Sequence, residues 1–365
     1  RFGAAITELG SNENPLGPSP RALEAMRVAL AEAFRYPDPR GMWLKHALAE
    51  DLGIAAERVV LGNGSHELLM LLAQCFADAR HSVVFSQFGF AVFSIATAAA
   101  GARAVRVPAL PRGHRAAPCG HDLSGMARAI RPNTRIVYLA NPNNPTGTWF
   151  NDAALGAFLD KVPRNVLVVV DEAYHEYVDA PGLGTALGFA GRFPNLIVTR
   201  TFSKAYGLAG MRVGYLVAHP SVVAVLERLR ESFNVNNVAL AGATAALRDK
   251  SWLAKARAFN RAEREWLRGE LLERGYHCLP SQANFLLCVL PRDAATLERH
   301  LFERGVIVRP MGGYGLPRAL RISVGSRAEN RRLLRAIETV AAGGRASSPS
   351  GARGRRGRAA PDEGT

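Results

Sequence analysis

The chain has 365 residues, of which 48% are hydrophobic, and its formal net charge at pH 7 is +15. This length and apolar content allow a substantial buried core and exclude a disordered polypeptide. The sequence contains no signal-peptide pattern and no apolar run of about eighteen residues, so we expect no membrane partner and a cytoplasmic location.

The positive charge is spread along the chain. From Arg345 to Thr365, five arginines stand against Asp362 and Glu363, so this tail accounts for only +3 of the charge. Its Gly, Ser, Pro and Arg content predicts disorder. A weak contact with a polyanion stays open, but we expect no nucleic-acid partner.

Seven apolar, β-rich segments alternate with helical patterns, which is typical of a mainly parallel α/β sheet. A long helical segment at 251–274 and three shorter apolar segments follow, and they predict a smaller α+β domain. The seven segments are 58–61, 82–86, 103–107, 135–140, 166–170, 195–201 and 213–218. We therefore expect an N-terminal arm with part of the small domain (1–35), a large domain (36–236), a small domain (237–342) and a disordered basic tail (343–365).

Glycine-rich and polar segments follow several of these strands. The first is GNGSHELL at 62–69, where Gly64 and Ser65 open a helix whose backbone N–H groups favour an anion. Read alone, such a Gly-Asn-Gly turn is more often only an ordinary helix start.

Two further strands end in polar residues. Asn144 lies in the proline-rich turn NPNNPTG directly after 135–140. Asp171 ends a continuous apolar run, so its carboxylate needs a cationic or hydrogen-bonding partner to remain ionised. Tyr174 follows three residues later and can point to the same place.

A lysine occupies the centre of the segment TFSKAYGLAGMR (201–212). The chain has only five lysines among 46 basic residues, so Lys204 is kept against a strong arginine bias. Unlike a guanidinium, a lysine amine can lose its proton and form an imine with an aldehyde. Thr201, Ser203 and Arg212 supply two hydroxyls and a planar fork of donors, which suit a phosphate dianion. This segment alone also fits a surface lysine beside a turn.

The order NPNNPTG, DEAY and TFSKAYGLAGMR resembles that of the fold-type I pyridoxal-phosphate aminotransferases, and of the histidinol-phosphate aminotransferases in particular. The similarity extends from about Ser11 to about Leu334. It implies an α/β fold-type I PLP-dependent transferase, in which the large domain binds the cofactor. The active site then lies between the domains and at the interface of a homodimer.

The resemblance also implies roles for the motif residues. Lys204 would bind pyridoxal 5'-phosphate covalently and move the substrate proton, while Asp171 would keep the pyridine nitrogen protonated. Asn144 and Tyr174 would hydrogen-bond the ring oxygen. The phosphate would be bound by Gly64, Ser65, Thr201, Ser203 and Arg212.

The four cysteines form no ligand-like cluster with histidine, so we expect reduced thiols and no metal.

Three positions leave alternatives open. His66 stands where family members usually have a carboxylate or amide, and it either donates to the phosphate or caps the helix. Phe90 either stacks on the pyridine ring, where relatives often have tyrosine, or is a core residue. Tyr36 resembles the tyrosine that one subunit contributes to the cofactor phosphate of the other, and is otherwise a turn residue.

Substrate recognition is expected near the C-terminus. Arg321 resembles the arginine that binds the anionic end of the substrate, and Arg309 provides a second charge. Histidinol phosphate has a phosphate instead of a carboxylate at that end, so two guanidinium groups suit it. Asn14 belongs to the segment NENPLG, which would pack across the mouth of the site.

The resemblance implies an amino transfer in two half-reactions, in which histidinol phosphate and 2-oxoglutarate are interconverted with imidazole acetol phosphate and glutamate, in histidine biosynthesis. Aromatic amino-acid transamination, with phenylalanine or tyrosine, is the alternative, and decarboxylation of a phosphorylated amino acid is a further one. A regulatory module without turnover, or a scaffold without cofactor, represents a different class. Family members carry residues ahead of the SNENP-like motif, and we expect weaker substrate binding if these are missing.

Overall fold

The computed structural model describes residues 6–291 and 293–346. Most of the predicted tail, 347–365, lies outside the described residues. The described part forms eleven α-helices, which are α1 Pro20–Leu30, α2 Met42–Leu52, α3 Ser65–Phe76, α4 Ala91–Ala99, α5 Leu123–Ala129, α6 Asp152–Leu159, α7 Pro220–Leu229, α8 Asn237–Arg248, α9 Lys250–Glu273, α10 Ala294–Glu303 and α11 Arg327–Ala346. Its thirteen strands are β1 Thr7–Glu8, β2 Val59–Gly62, β3 Ser82–Ser86, β4 Arg103–Val107, β5 Thr134–Ala140, β6 Leu167–Asp171, β7 Leu196–Thr201, β8 Gly214–Val217, β9 His277–Cys278, β10 Phe285–Val289, β11 Val306–Ile307, β12 Arg309–Pro310 and β13 Ala319–Ser323.

Seven strands form the central sheet, in the order β2-β8-β7-β6-β5-β3-β4. Strands β3 to β7 pair in parallel, whereas β8 is antiparallel to both β2 and β7. Each strand corresponds to one predicted segment, with ends that differ by about one residue. The mainly parallel α/β sheet is therefore confirmed.

Apolar side chains of the sheet alternate between two buried clusters. Ile136 and Tyr138 of β5 pack on one face, with α3 and α4. Val137 and Leu139 pack on the other face, with α5 and α6. Because both faces of the sheet are covered, its strands are continuous apolar runs in the sequence.

The second unit is built around the antiparallel sheet β12-β13-β10-β9. Leu267 of α9, Leu301 of α10 and Leu333 of α11 are buried in its core. Strand β1 pairs in parallel with β11, which joins the N-terminal arm to this unit. The smaller α+β domain is therefore present as expected. Within residues 6–291 and 293–346, no helix carries an apolar stretch of membrane-spanning length.

The packing of α8 and the length of α11 bear on two of the expected domain boundaries. Ala239 and Ala243 of α8 are buried with Leu44 of α2 and Phe202, which follows β7, so α8 packs with the large domain. Leu253 of α9 also packs on this cluster, whereas Leu267 and Leu271 of α9 are buried in the core of the second unit. At the other end, the backbone of α11 continues to Ala346, so 343–346 are helical rather than part of the tail.

Cys278 and Cys288 lie opposite each other on β9 and β10. Their Sγ atoms are 3.1 Å apart, and both are free thiols. Sequence spacing did not reveal this pair, because only the strand register brings the two residues together.

Candidate active site

The functional side chains meet at the carboxyl ends of β5, β6 and β7. Asp171 is the last residue of β6 and Thr201 the last of β7, while Asn144 follows β5. Parallel strands place these ends at one side of the sheet. The small domain and the segment Ser11–Glu13 cover that side, and together they enclose a cavity of about 900 Å³.

Lys204 extends into this cavity from the loop after β7. Its Nζ donates a hydrogen bond to the backbone oxygen of Ser11, at 3.1 Å. Burial, and then the charge of Arg321, lower the pKa of the Lys204 amine to about 8. About a tenth of the amine is therefore unprotonated at pH 7, far more than for an ordinary lysine, and nucleophilic attack requires that form.

Asp171 is a buried acid at the floor of the cavity. Its Oδ1 accepts a hydrogen bond from Thr199 Oγ1, at 2.9 Å, and burial raises the pKa of the carboxyl to about 7. A cation in the cavity would favour the ionised form. Thr199 was missed in the sequence analysis; it is the residue that the β6–β7 register sets opposite Asp171.

Tyr174 is held from two sides by amides. Asn144 Nδ2 donates to its hydroxyl oxygen at 3.2 Å, and Asn12 Nδ2 donates at 3.0 Å. Burial raises the pKa of Tyr174 to about 12, so the phenol keeps its proton. Since the oxygen accepts both contacts, the proton is available to donate.

Arg321 reaches the same group from β13. Its Nη1 donates to Asn144 Oδ1 at 2.7 Å, and its Nη2 donates to the Gly10 oxygen at 2.6 Å. The Nε is buried without a hydrogen-bond partner among the described residues. Arg309 of β12 lines the same cavity, so both predicted guanidinium groups lie there.

An anion cup forms where α3 begins. Gly64 has φ +81°, and a Cβ there would lie 2.6 Å from Arg212 Nη2, so a side chain would collide with this arginine. No side chain caps the helix, which leaves N–H groups of its first turn for an anion. Thr201 Oγ1 donates to Ser203 Oγ at 3.0 Å, and Arg212 Nη1 lies 3.4 Å from the same oxygen.

His66 and Phe90 both line the cavity. Burial lowers the pKa of His66, and the charge of Arg212 lowers it further, so the ring stays neutral. It makes no cap contact at the start of α3, which favours the binding interpretation. Phe90 precedes α4 and is only partly buried, with its ring at an edge-on angle to Phe93.

Two predicted residues lie elsewhere. The side chain of Asn14 donates to the Ala205 oxygen at 2.9 Å and accepts from Leu16 N at 3.0 Å, so it holds the backbone and does not line the cavity. Asn12 lines it instead. Tyr36 is 82% exposed and stacks on Phe233 with ring centres 4.7 Å apart, outside the cavity of its own chain.

The arrangement can bind a phosphorylated aromatic ring. The anion cup suits the phosphate, the acid at Asp171 suits a cationic ring nitrogen, and the amine of Lys204 suits an aldehyde. Pyridoxal phosphate has all three groups, so the residues present fit that cofactor.

Comparison with known proteins gives a consistent result. The sequence model of the family "Aminotransferase class I and II" matches residues 4–337. Histidinol-phosphate aminotransferase 2 of Pseudomonas fluorescens (strain Pf0-1) is 49% identical over 341 residues, which cover 93% of this chain and 90% of the relative. The protein of the same name from Pseudomonas aeruginosa is 49% identical over 339 residues, with the same coverage. The crystal structure of histidinol-phosphate aminotransferase from Sinorhizobium meliloti in complex with pyridoxal-5'-phosphate superposes with a TM-score of 0.84, at 33% identity, over 93% of this chain and 92% of that one.

Proposed function

Because the chain belongs to the aminotransferase class I and II family, we propose that it transfers an amino group from histidinol phosphate to 2-oxoglutarate, and in reverse. The products are imidazole acetol phosphate and glutamate, and the reaction serves histidine biosynthesis. The names of the relatives support this substrate. The observation that carries the proposal is that the Lys204 amine and the guanidinium groups of Arg309 and Arg321 line one cavity.

The cofactor in this proposal is pyridoxal phosphate. When bound, it supplies an aldehyde that takes up the amino group and a ring that accepts electrons from the substrate carbon. Asp171 would pair with the ring nitrogen, and the positive charge there would favour the ionised carboxylate. Tyr174 and Asn144 hold the ring oxygen.

The remaining cofactor contacts come from the anion cup and Phe90. Ser203, Arg212 and the first N–H groups of α3 bind the phosphate. His66 donates a ring N–H to it. The face of Phe90 packs on the ring.

Lys204 moves the proton in this scheme. With a pKa of about 8, its Nζ is able to take the proton from the substrate carbon that bears the amine and to return it. Asn12, Asn144 and Gly10 hold Tyr174 and Arg321 in place around it. The positions of the Tyr174 and Arg321 side chains are therefore set before the substrate enters.

The substrate's anionic end lies against Arg321 and Arg309. Arg321 is fixed by two hydrogen bonds and retains N–H donors, including its buried Nε. A phosphate dianion attracts two guanidinium groups more strongly than a carboxylate does. The pair therefore favours histidinol phosphate over phenylalanine, the alternative substrate.

A homodimer completes the site in this proposal. Phe34, Tyr36 and Trp43 are 75%, 82% and 81% exposed, and α1, α2 and α8 enclose a largely apolar cavity of about 660 Å³ beside them. Aromatic residues of this kind are typical of interface centres. A second copy would cover this surface and receive Tyr36 at its anion cup.

We propose a cytoplasmic location on the chemistry of the thiols. The Sγ atoms of Cys278 and Cys288 are 3.1 Å apart without a bond between them. Thiols persist in this form in reducing compartments.

The test is a steady-state comparison of histidinol phosphate with phenylalanine, with 2-oxoglutarate as acceptor. We expect kcat/KM to be higher for histidinol phosphate by about 100-fold or more, because phenylalanine lacks the dianion. Lys204→Ala should abolish turnover and the absorbance of the lysine-bound imine, whereas Lys161→Ala, at an exposed lysine, serves as the matched control and should retain both. A preference for phenylalanine would overturn the proposed substrate.

A further inference from the structure

Tyr314 lines the cavity and has no role in the proposed amino transfer as described so far. It belongs to a short turn of the small domain, between β12 and β13, and lines the cavity together with Arg309 and Arg321. Its ring is partly buried against a cluster that includes Phe88 and Met311. The ring is therefore anchored, while the hydroxyl faces polar groups.

The Tyr314 hydroxyl connects the two domains. Its oxygen accepts a hydrogen bond from the backbone N–H of Ala91, at 3.2 Å. Ala91 is the first residue of α4, which has no side-chain cap. Because the oxygen is the acceptor in this contact, the hydroxyl proton stays free to donate.

The charges around Tyr314 favour an anionic acceptor for that proton. Arg309 and Arg321 line the same cavity as Tyr314, and burial lowers the pKa of the Arg321 guanidinium. An anion held by both arginines would therefore lie beside the phenol. A carboxylate has two oxygens, which one bidentate guanidinium satisfies, whereas a phosphate has a third oxygen that needs another donor.

We propose that Tyr314 is a specificity-determining residue that donates its hydroxyl proton to the substrate phosphate, while Ala91 N–H holds the phenol oxygen in position. The inference rests on the proposed function, because it assumes that histidinol phosphate is the substrate. It adds a donor that distinguishes a phosphate from a carboxylate at the same place. The phenol also ties the small domain to α4 over the bound substrate.

The test uses Tyr314→Phe, which keeps the ring and removes only the hydroxyl. The holoenzyme is assayed in each half-reaction separately, once with histidinol phosphate and once with glutamate. We expect the KM for histidinol phosphate to rise about ten-fold, the usual effect of losing a hydrogen bond to a charged group, and the KM for glutamate to stay nearly constant. Tyr276→Phe, at a partly buried tyrosine packed on the core of the small domain, is the matched control and should change neither value.

Equal changes for both substrates, or no change for either, would overturn the inference, since a hydroxyl that only stabilises the domain contact affects both half-reactions alike. Thermal unfolding of the variant is measured in parallel, and an unaltered midpoint supports a direct contact with substrate. If the unsubstituted protein itself fails to convert histidinol phosphate, the proposed function falls together with the inference. An active parent with an unaffected variant rejects the inference alone.

Discussion

Burial changes the acid–base chemistry of Asp171 and Lys204 in opposite directions. It raises the pKa of the acid to about 7 and lowers that of the amine to about 8. In both residues the charged form is disfavoured because water is excluded from the strand ends. The effect makes Asp171 receptive to a cation and Lys204 a better nucleophile, so a single physical cause prepares both groups.

At the scale of one residue, we expect Asp171→Asn to stabilise the protein without cofactor, and to do so more at pH 8 than at pH 5. The pKa of about 7 in the folded state lies above the ordinary aspartate value of 3.8. The folded state therefore keeps the proton to a higher pH than the unfolded state does. As a result, the free energy of unfolding falls as the pH rises from about 4 to about 7. An asparagine side chain does not titrate, so the variant does not lose stability in this way as the pH rises. The advantage of the variant over the parent should grow by roughly 2 to 3 kcal/mol between the two pH values.

Urea unfolding of the cofactor-free proteins at pH 5 and pH 8 measures this difference. The exposed Asp160→Asn provides the control and should show no such growth. The same Asp171 variant should bind pyridoxal phosphate more weakly, since the cation loses its partner. An advantage that is equal at both pH values would contradict the pH argument.

At the scale of the strands, a buried ion pair ties together the elements that carry the site. Glu172 follows Asp171 directly, and its Oε2 accepts from Arg200 Nε and Nη2 at 2.9 and 2.8 Å. The same carboxylate accepts from Thr185 and from Ala186 N. Both charged partners are buried, so the end of β6 is linked to β7 and to the loop that follows β6. Asp171 and Thr199 are thereby kept side by side.

We expect Glu172→Gln to lower the free energy of unfolding by about 3 to 5 kcal/mol, because it removes the hydrogen-bonded ion-pair partner of the buried Arg200. The exposed pair Glu24 and Arg27, with a 2.7 Å contact, offers a matched control. Glu24→Gln should have little effect, since solvent screens that pair. Chemical unfolding of both variants gives the comparison. Similar losses in the two would show that burial does not determine the strength of the pair.

At the scale of the whole molecule, the cavity is assembled from both domains and the N-terminal arm. Ser11 and Asn12 come from the arm, Lys204 from the large domain, and Arg321 and Tyr314 from the small domain. Hydrogen bonds cross these boundaries, from Arg321 to Asn144 and from Ala91 to Tyr314. Any movement of one domain against the other therefore changes the site itself.

We expect the protein to sediment as a dimer of its 39.3 kDa chain and Trp43→Glu to shift it to the monomer, because a charge is placed in an apolar contact. The variant should also lose affinity for pyridoxal phosphate, since Tyr36 would no longer reach a partner. Leu272→Glu, at a 61% exposed leucine on α9 away from this surface, should leave both properties unaltered. Sedimentation at several protein concentrations measures the oligomeric state of the parent protein and of both variants. A monomeric parent protein would contradict the proposed dimer.

Local patterns in the sequence were enough to predict the central sheet and several residues of the candidate active site. The seven apolar runs predicted the central sheet, because a strand covered on both faces must be apolar along its length. A lysine among many arginines identified Lys204, because only the amine can react with an aldehyde. Asp171 and Asn144 were found in the same way, as polar residues directly after buried strands.

Only the tertiary structure decided which other residues meet these groups. Asn12 rather than Asn14 lines the cavity, since a left-handed backbone with φ +56° at Asn12 orients a segment whose two asparagines are alike in the sequence. The strand register brings Thr199 to Asp171 and Cys278 to Cys288, and domain packing brings Tyr314 to Ala91, 223 residues away along the chain. Such contacts depend on strand order and packing, and neither leaves a local pattern from which a partner can be read.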